Sequence, residues 1–170
     1  MIAISSLDNV KKVTKPWGYE LWIECGEDAP YAMKILQINS GYRLSLQAHA
    51  VKTETMLILE GTGMLVYSNT DLDIDKWNAG GYDLSEIADL QDNVKGLQIA
   101  AGSVITIRPG EIHRFVANTD LRLVECSTNQ LTDVIRIHDD NLRPSGHIDS
   151  EHAPATLKNG YAPWWPRGNI

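Results

Sequence analysis

The stretch Gly41-Tyr-Arg-Leu-Ser-Leu-Gln-Ala-His49 carries the residues best suited to chemistry. Arg43, Ser45, Gln47 and His49 alternate with Leu44, Leu46 and Ala48. That is the period of a β-strand, so the polar residues are expected on one face and the apolar residues on the other. A polar face turned into a barrel interior must be satisfied by a ligand, a metal or water. A short turn then leads to Glu54, and much later the sequence reads Pro109-Gly110-Glu111-Ile112-His113. Gln47, His49, Glu54 and His113 together supply nitrogen and oxygen donors. Such a set suits a divalent transition metal that keeps positions open for a substrate.

Short strands must position these residues. Segments rich in Val, Ile, Leu and Tyr lie near 19–24, 31–38, 43–49, 54–60, 62–68, 97–100, 103–107, 113–117, 121–127 and 132–138, with glycines between many of them. Many short strands with little helical periodicity predict an antiparallel sandwich or barrel. Residues 69–95 break the rhythm with seven acidic residues against two lysines. They are expected to form a solvated acidic loop with one short helix around Leu84, Ile87 and Ala88, capped by Asp83 or Ser85. Asp71, Asp73 and Asp75 do not make a calcium loop, because Lys76 and Tyr82 stand where Gly and Glu are required. From Pro144 onward the chain holds four of its seven prolines and the pair Trp164-Trp165. The expected division is therefore a barrel domain over 1–143 and an extended arm over 144–170, packed on the barrel or on a second subunit.

Composition narrows the function classes. A chain of 170 residues with 43% apolar and 22% charged residues fits one globular domain. A net charge of −7 argues against nucleic-acid or anionic-membrane partners. No apolar run approaches the roughly 18 residues that a membrane helix needs. The first residues lack the basic and apolar regions of a secretory leader, so a cytoplasmic protein is expected. Cys25 and Cys126 form no CxxC motif and are read as buried free thiols.

The spacing Gly41-x5-Gln47-x-His49-x4-Glu54-x6-Gly61 resembles the first cupin motif, with Gln in place of the first His, and Pro109-Gly110-x2-His113-x4-Asn118 resembles the second. Leu44-Ser-Leu-Gln-Ala-His49, Lys15-Pro16-Trp17-Gly18, Ile112-His113-Arg114 and Arg136-x2-Asp139-x3-Arg143 look like the type II mannose-6-phosphate isomerases, over roughly residues 14–143. The pattern departs from that family at Ala50-Val51, Thr55-Met56, Ile35 and Asn141-Leu142. The metal set is retained; the changes fall on the layer expected to touch substrate.

The resemblance implies an all-β cupin, a double-stranded β-helix or jelly-roll barrel with a short helical insertion. It implies interconversion of mannose 6-phosphate and fructose 6-phosphate through an enediol. Gln47, His49, Glu54 and His113 would hold one metal ion, with zinc expected first and iron, manganese, cobalt or nickel also compatible. Arg43 would bind the sugar phosphate, and Lys34 and Arg136 would bind phosphate or steer the enediol. Arg114 is expected in a structural ion pair. His138, His147 and His152 are expected to be solvated or structural, with His138 sharing the parity of Arg136. The catalytic base is not readable. A homodimer is expected, and guanylyl transfer is not expected from a chain of this length. The alternatives are another metal-dependent cupin enzyme, such as a dioxygenase or an isomerase or epimerase on a different sugar, and a non-catalytic sugar-binding cupin.

Overall fold

Eleven antiparallel strands build two facing sheets in the computed structural model, which describes residues 4–26 and 28–152. In chain order they are β1 (Lys11–Lys15), β2 (Gly18–Glu24), β3 (Ala32–Ile38), β4 (Leu46–His49), β5 (Glu54–Glu60), β6 (Thr62–Ser68), β7 (Val94–Ala100), β8 (Val104–Ile107), β9 (His113–Ala117), β10 (Leu121–Ser127) and β11 (Val134–His138). One sheet runs β1-β2-β3-β10-β5-β8 and the other β11-β4-β9-β6-β7. This is the expected jelly-roll barrel. β1 was absent from the sequence reading, because Lys11-Lys12-Val13-Thr14-Lys15 shows no apolar run; only Val13 is buried. No described helix is long and apolar enough to cross a membrane.

The barrel interior is graded along its axis. At one end Trp17, Leu36, Ile38, Ile58, Phe115, Leu121 and Leu123 pack into an apolar core. Toward the other end the same inward rows become polar, with Lys34, Glu54, Glu125 and Ser127 all buried. Strand parity forces this pattern: Glu54, Met56 and Ile58 point inward from β5, while Thr55, Leu57 and Leu59 point out. Gly61 makes the tight β5–β6 turn with φ +87°, where an added Cβ would lie 2.0 Å from the Asp120 carbonyl oxygen.

The acidic segment carries the expected helix with its Asp83 cap, but the remainder is not simply a solvated loop, which corrects that part of the expectation. It forms α1 (Ile74–Asn78) and α2 (Leu84–Asp92). Leu72, Ile74, Trp77, Ile87 and Leu90 close over the outer, apolar face of β4 and β11, where Leu46, Ala48, Ile135 and Ile137 lie. Asp73 caps α1, and Asp83 caps α2 through a reciprocal capping box with Glu86. The apolar residues were hidden among acids that cap helix ends or face solvent.

The cysteines are also corrected. Both are free, but Cys126 is exposed and Cys25 only partly buried. Cys126 takes an outward position of β10, between inward-facing Glu125 and Ser127. Beyond β11, residues 144–152 run along that edge strand, where Gly146 N–H donates to the Val134 carbonyl at 2.8 Å. A helical turn, α3 (Asp149–His152), then packs against β1. The rest of the expected arm, with Trp164-Trp165, lies outside the described residues.

Candidate metal centre

Three elements deliver three buried ligand atoms to one point. His49 ends β4, Glu54 opens β5 and His113 opens β9, each no more than 2% exposed. Their donor atoms lie within 4.8 Å of one another. Glu54 Oε1 is 3.5 Å from His49 Nε2 and 3.3 Å from His113 Nε2. Bonds of about 2.1 Å to a common tetrahedral ion would separate ligand atoms by about 3.4 Å. Neither imidazole Nε2, nor Glu54 Oε1, has a hydrogen-bond partner among the described residues. Such atoms are costly to bury, and a shared cation satisfies all of them.

The other ring nitrogens fix the imidazoles. His49 Nδ1–H donates to Asp133 Oδ1 at 3.1 Å, and His113 Nδ1–H donates to the Glu111 carbonyl at 2.9 Å. Both partners accept only, so each Nε2 keeps its lone pair for a metal. Asp133 also accepts from the Val51 and Lys52 backbone amides. Against the desolvation of burial, His49 and these amides hold its carboxyl below the ordinary range.

Gly110 secures the turn before His113. At φ +85° it donates to the His49 carbonyl at 2.9 Å and accepts from Leu72 N–H at 2.8 Å. One glycine thus ties the two histidine strands and the helical insertion together.

Lys52 compensates Glu54. Its ammonium contacts Glu54 Oε2 and lies 3.2 Å from Glu125 Oε1, with all three residues buried. Burial alone would favour neutral Lys52; Glu125 and Glu54 instead raise its pKa, so it stays charged. Burial likewise opposes ionisation of Glu54, yet Lys52, His113 and His49 hold its carboxyl well below the usual range.

The structure sorts the expected substrate residues. Gln47 lies in register between His113 and Arg136, and its Oε1 accepts from Ser45 Oγ at 2.6 Å, leaving a second lone pair. Arg136 faces the cavity and donates from Nη1 to the carbonyls of Pro144 at 2.5 Å and Gly146 at 3.0 Å. Lys34 is buried on the inward face of β3, with its ammonium 4.7 Å from the Trp22 ring centroid. Arg43 does not share the face of Gln47 and His49, a correction to the parity expectation. Its side chain is exposed and pairs with Asp140. Regular pairing fails between Arg43 and β4, because Leu44 turns into the apolar core immediately before the buried Ser45. His138 does not keep the parity of Arg136 either: an irregularity separates them, and His138 is exposed beside Asp140. Arg114 is structural, donating to the Leu44 carbonyl at 2.8 Å and lying 3.5 Å from Asp140.

The sequence reading missed the buried carboxylates Glu20 and Glu125, Lys52, and the orienting Asp133. Inward parity on β2 and β10 was the available signal for the first two; none marked Asp133, which joins His49 only through the fold. The reading also did not place His147 and His152 at the cavity mouth, stacked with ring centroids 4.2 Å apart, with His152 edge-on to Trp22 at 5.0 Å. Desolvation first, then Lys15, His147 and Lys11, push the His152 pKa down to about 4, with Glu20 opposing.

The family model described as mannose-6-phosphate isomerase C-terminal matches residues 4–80. No curated protein sequence matches at a significant level. Among solved structures, the capsular polysaccharide assembling protein CapF from Staphylococcus aureus superposes with a TM-score of 0.51 at 13% identity, covering 81% of this chain and 33% of that one. Oxalate decarboxylase from Lactobacillus farciminis, in a formate complex, gives 0.54 at 16% identity over 76% of this chain and 34% of that one. Ectoine synthase from P. lautus gives 0.54 at 14% identity over 75% and 78%. The chain spans about a third of the length of the CapF and oxalate decarboxylase chains, and at these identities the likeness is one of fold.

Two outcomes follow from this geometry. Replacing Asp133 with Asn should weaken binding of an added divalent transition metal by about 10–100-fold in a chelator competition, with the circular dichroism unchanged. For His152, the unfolded chain takes up its proton near the ordinary imidazole pKa and the folded chain only near about 4. Its contribution to stability is present above the ordinary pKa and is lost as pH falls through the folded value. Hydrogen exchange in 146–152, corrected for intrinsic rate, should therefore speed up across that window, and His152→Gln should flatten the response.

Proposed function

We propose that this chain, which matches the mannose-6-phosphate isomerase C-terminal model over residues 4–80, is a metal-dependent sugar-phosphate isomerase acting on mannose 6-phosphate. The observation that carries this reading is the buried His49, Glu54 and His113 set, whose His49 Nε2, Glu54 Oε1 and His113 Nε2 have no hydrogen-bond partner among the described residues, beside a cavity lined by His49, Glu54, Lys34 and Arg136.

His49, Glu54 and His113 would hold the metal, with Gln47 as the fourth donor. The softness of this set suits zinc and also admits iron, manganese, cobalt or nickel. When bound, the metal polarises the sugar carbonyl and stabilises the negative charge that develops on its oxygen. The protein's own residues do the rest. Arg136, beside Gln47 in the register, presents a planar guanidinium to the sugar or its phosphate. Lys34 faces the same space from the opposite sheet and offers a second cation to the enediol oxygens. Asp133 and the Glu111 carbonyl keep both imidazoles aimed inward.

The enzyme would work in the cytoplasm, in keeping with its free cysteines. A homodimer is also proposed. Its support is the outward face of β5 and β8, where Leu57, Leu59 and Val104 are exposed on one sheet surface. Light scattering at working concentration should give twice the chain mass; a monomeric mass would remove the dimer.

The activity test is a metal-replete assay of mannose 6-phosphate conversion to fructose 6-phosphate. Wild type should turn over, and His49→Ala should fall to background. Metal-loaded wild type without turnover would overturn this substrate assignment and favour a different sugar or a different metal-dependent reaction.

A further inference from the structure

Residues 144–152 close the mouth of the cavity and leave about 90 Å³. Pockets that hold small ligands enclose roughly 300–1,000 Å³, so a hexose phosphate does not fit in this arrangement. What closes the mouth is charged. Glu151 Oε2 accepts from Lys15 Nζ at 2.8 Å, and its Oε1 accepts from Arg143 Nη1 at 3.1 Å. All three side chains are at most 10% exposed. Arg136 reaches the carbonyls of Pro144 and Gly146 from the same rim.

The cations belong to the barrel and the anion to the flap. Lys15 ends β1, and Arg143 is braced by Asp139, with Arg143 Nη2 2.6 Å from Oδ2. Among the described residues, Glu151 sits on a short helical turn held to the barrel by this ion pair, by the edge contact of His152 with Trp22 and by the bonds of Arg136 and Val134 to 144–146. Lys15 also lies 3.6 Å from Glu20, and Arg143 keeps Asp139, so Glu151 is the anion that the two cations share. They do not require that the anion come from this chain.

We propose that residues 144–152 form a gate over an anion subsite, in which the Glu151 carboxylate holds Lys15 and Arg143 in the place that the phosphate of a small phosphorylated ligand takes when the gate opens. The inference deepens the sugar-phosphate reading and rests on it for the phosphate chemistry. An incoming phosphate displaces Glu151, frees the rim from the flap and enlarges the cavity. Its apparent affinity is lowered by the fraction of molecules whose gate is shut.

The test uses the full, metal-loaded chain and inorganic phosphate as probe, with calorimetry for affinity and hydrogen exchange for the gate. Glu151→Gln should bind phosphate at least about tenfold more tightly than wild type, as when an open fraction below a tenth becomes dominant. Adding Lys15→Gln should reverse the gain, which separates this subsite from phosphate held at the metal. In wild type, phosphate should speed exchange at Gly146 and Glu151, whose amides bond to Val134 and Ile148 in the closed form. Unchanged or weaker phosphate binding in Glu151→Gln would overturn the gate, as would a Glu151→Gln gain that Lys15→Gln fails to reverse. Exchange in 144–152 that ignores phosphate would also overturn it. None of these readouts needs turnover, so a protein that behaves as described but fails the isomerase assay would lose the isomerase reading alone.

Discussion

A carboxylate at 1% exposure facing two imidazole lone pairs is the constraint around which this barrel is arranged. Glu54 cannot remain ionised there without positive charge close by. The fold supplies Lys52 two residues earlier, and then Glu125 to hold Lys52 in turn. This chain spans the β4–β5 turn and the middle of the six-stranded sheet. Register keeps Glu125 beside Lys34 on one side and Met56 on the other. The polar end of the barrel is therefore an ordered set of compensated charges, and the apolar end is what excludes water from beneath it.

Both faces of β4 matter to this arrangement. The inner face carries Gln47 and His49 toward the centre, while the outer face carries Leu46 and Ala48 into the second core. A strand that is polar inside and apolar outside needs an external cover, and the helical insertion provides it. Here the usual assignment of polar residues to solvent is inverted, because the interior has ionic work to do and the exterior has been closed over.

The cluster of His49, Glu54 and His113 that could hold a metal was legible because short-range parity and long-range motif spacing agreed for these residues. Parity failed where the chain left regular pairing: Leu44 enters the core and turns Arg43 out, and the irregularity after Arg136 turns His138 out. The acidic segment misled because its charge hid the spacing of Leu72, Ile74, Trp77, Ile87 and Leu90, which only becomes a cover once β4 and β11 are in place. Lys15 and Arg143 stood inside recognised motifs, yet their shared partner Glu151 could not be foreseen. Nothing local relates Lys15 to a residue 136 positions away, and the pairing of Arg143 with Glu151 eight positions on follows from no regular strand or helix spacing.

The Gly110 joint has a consequence for cooperativity. A single residue accepts from the start of the insertion, donates to the end of β4 and leads into the strand that carries His113. The insertion and the ligand turn cannot open independently without breaking one of those bonds. Opening of the one is thereby coupled to opening of the other through these two bonds. A metal that held the centre in this arrangement would therefore also disfavour opening of helices that do not contact it.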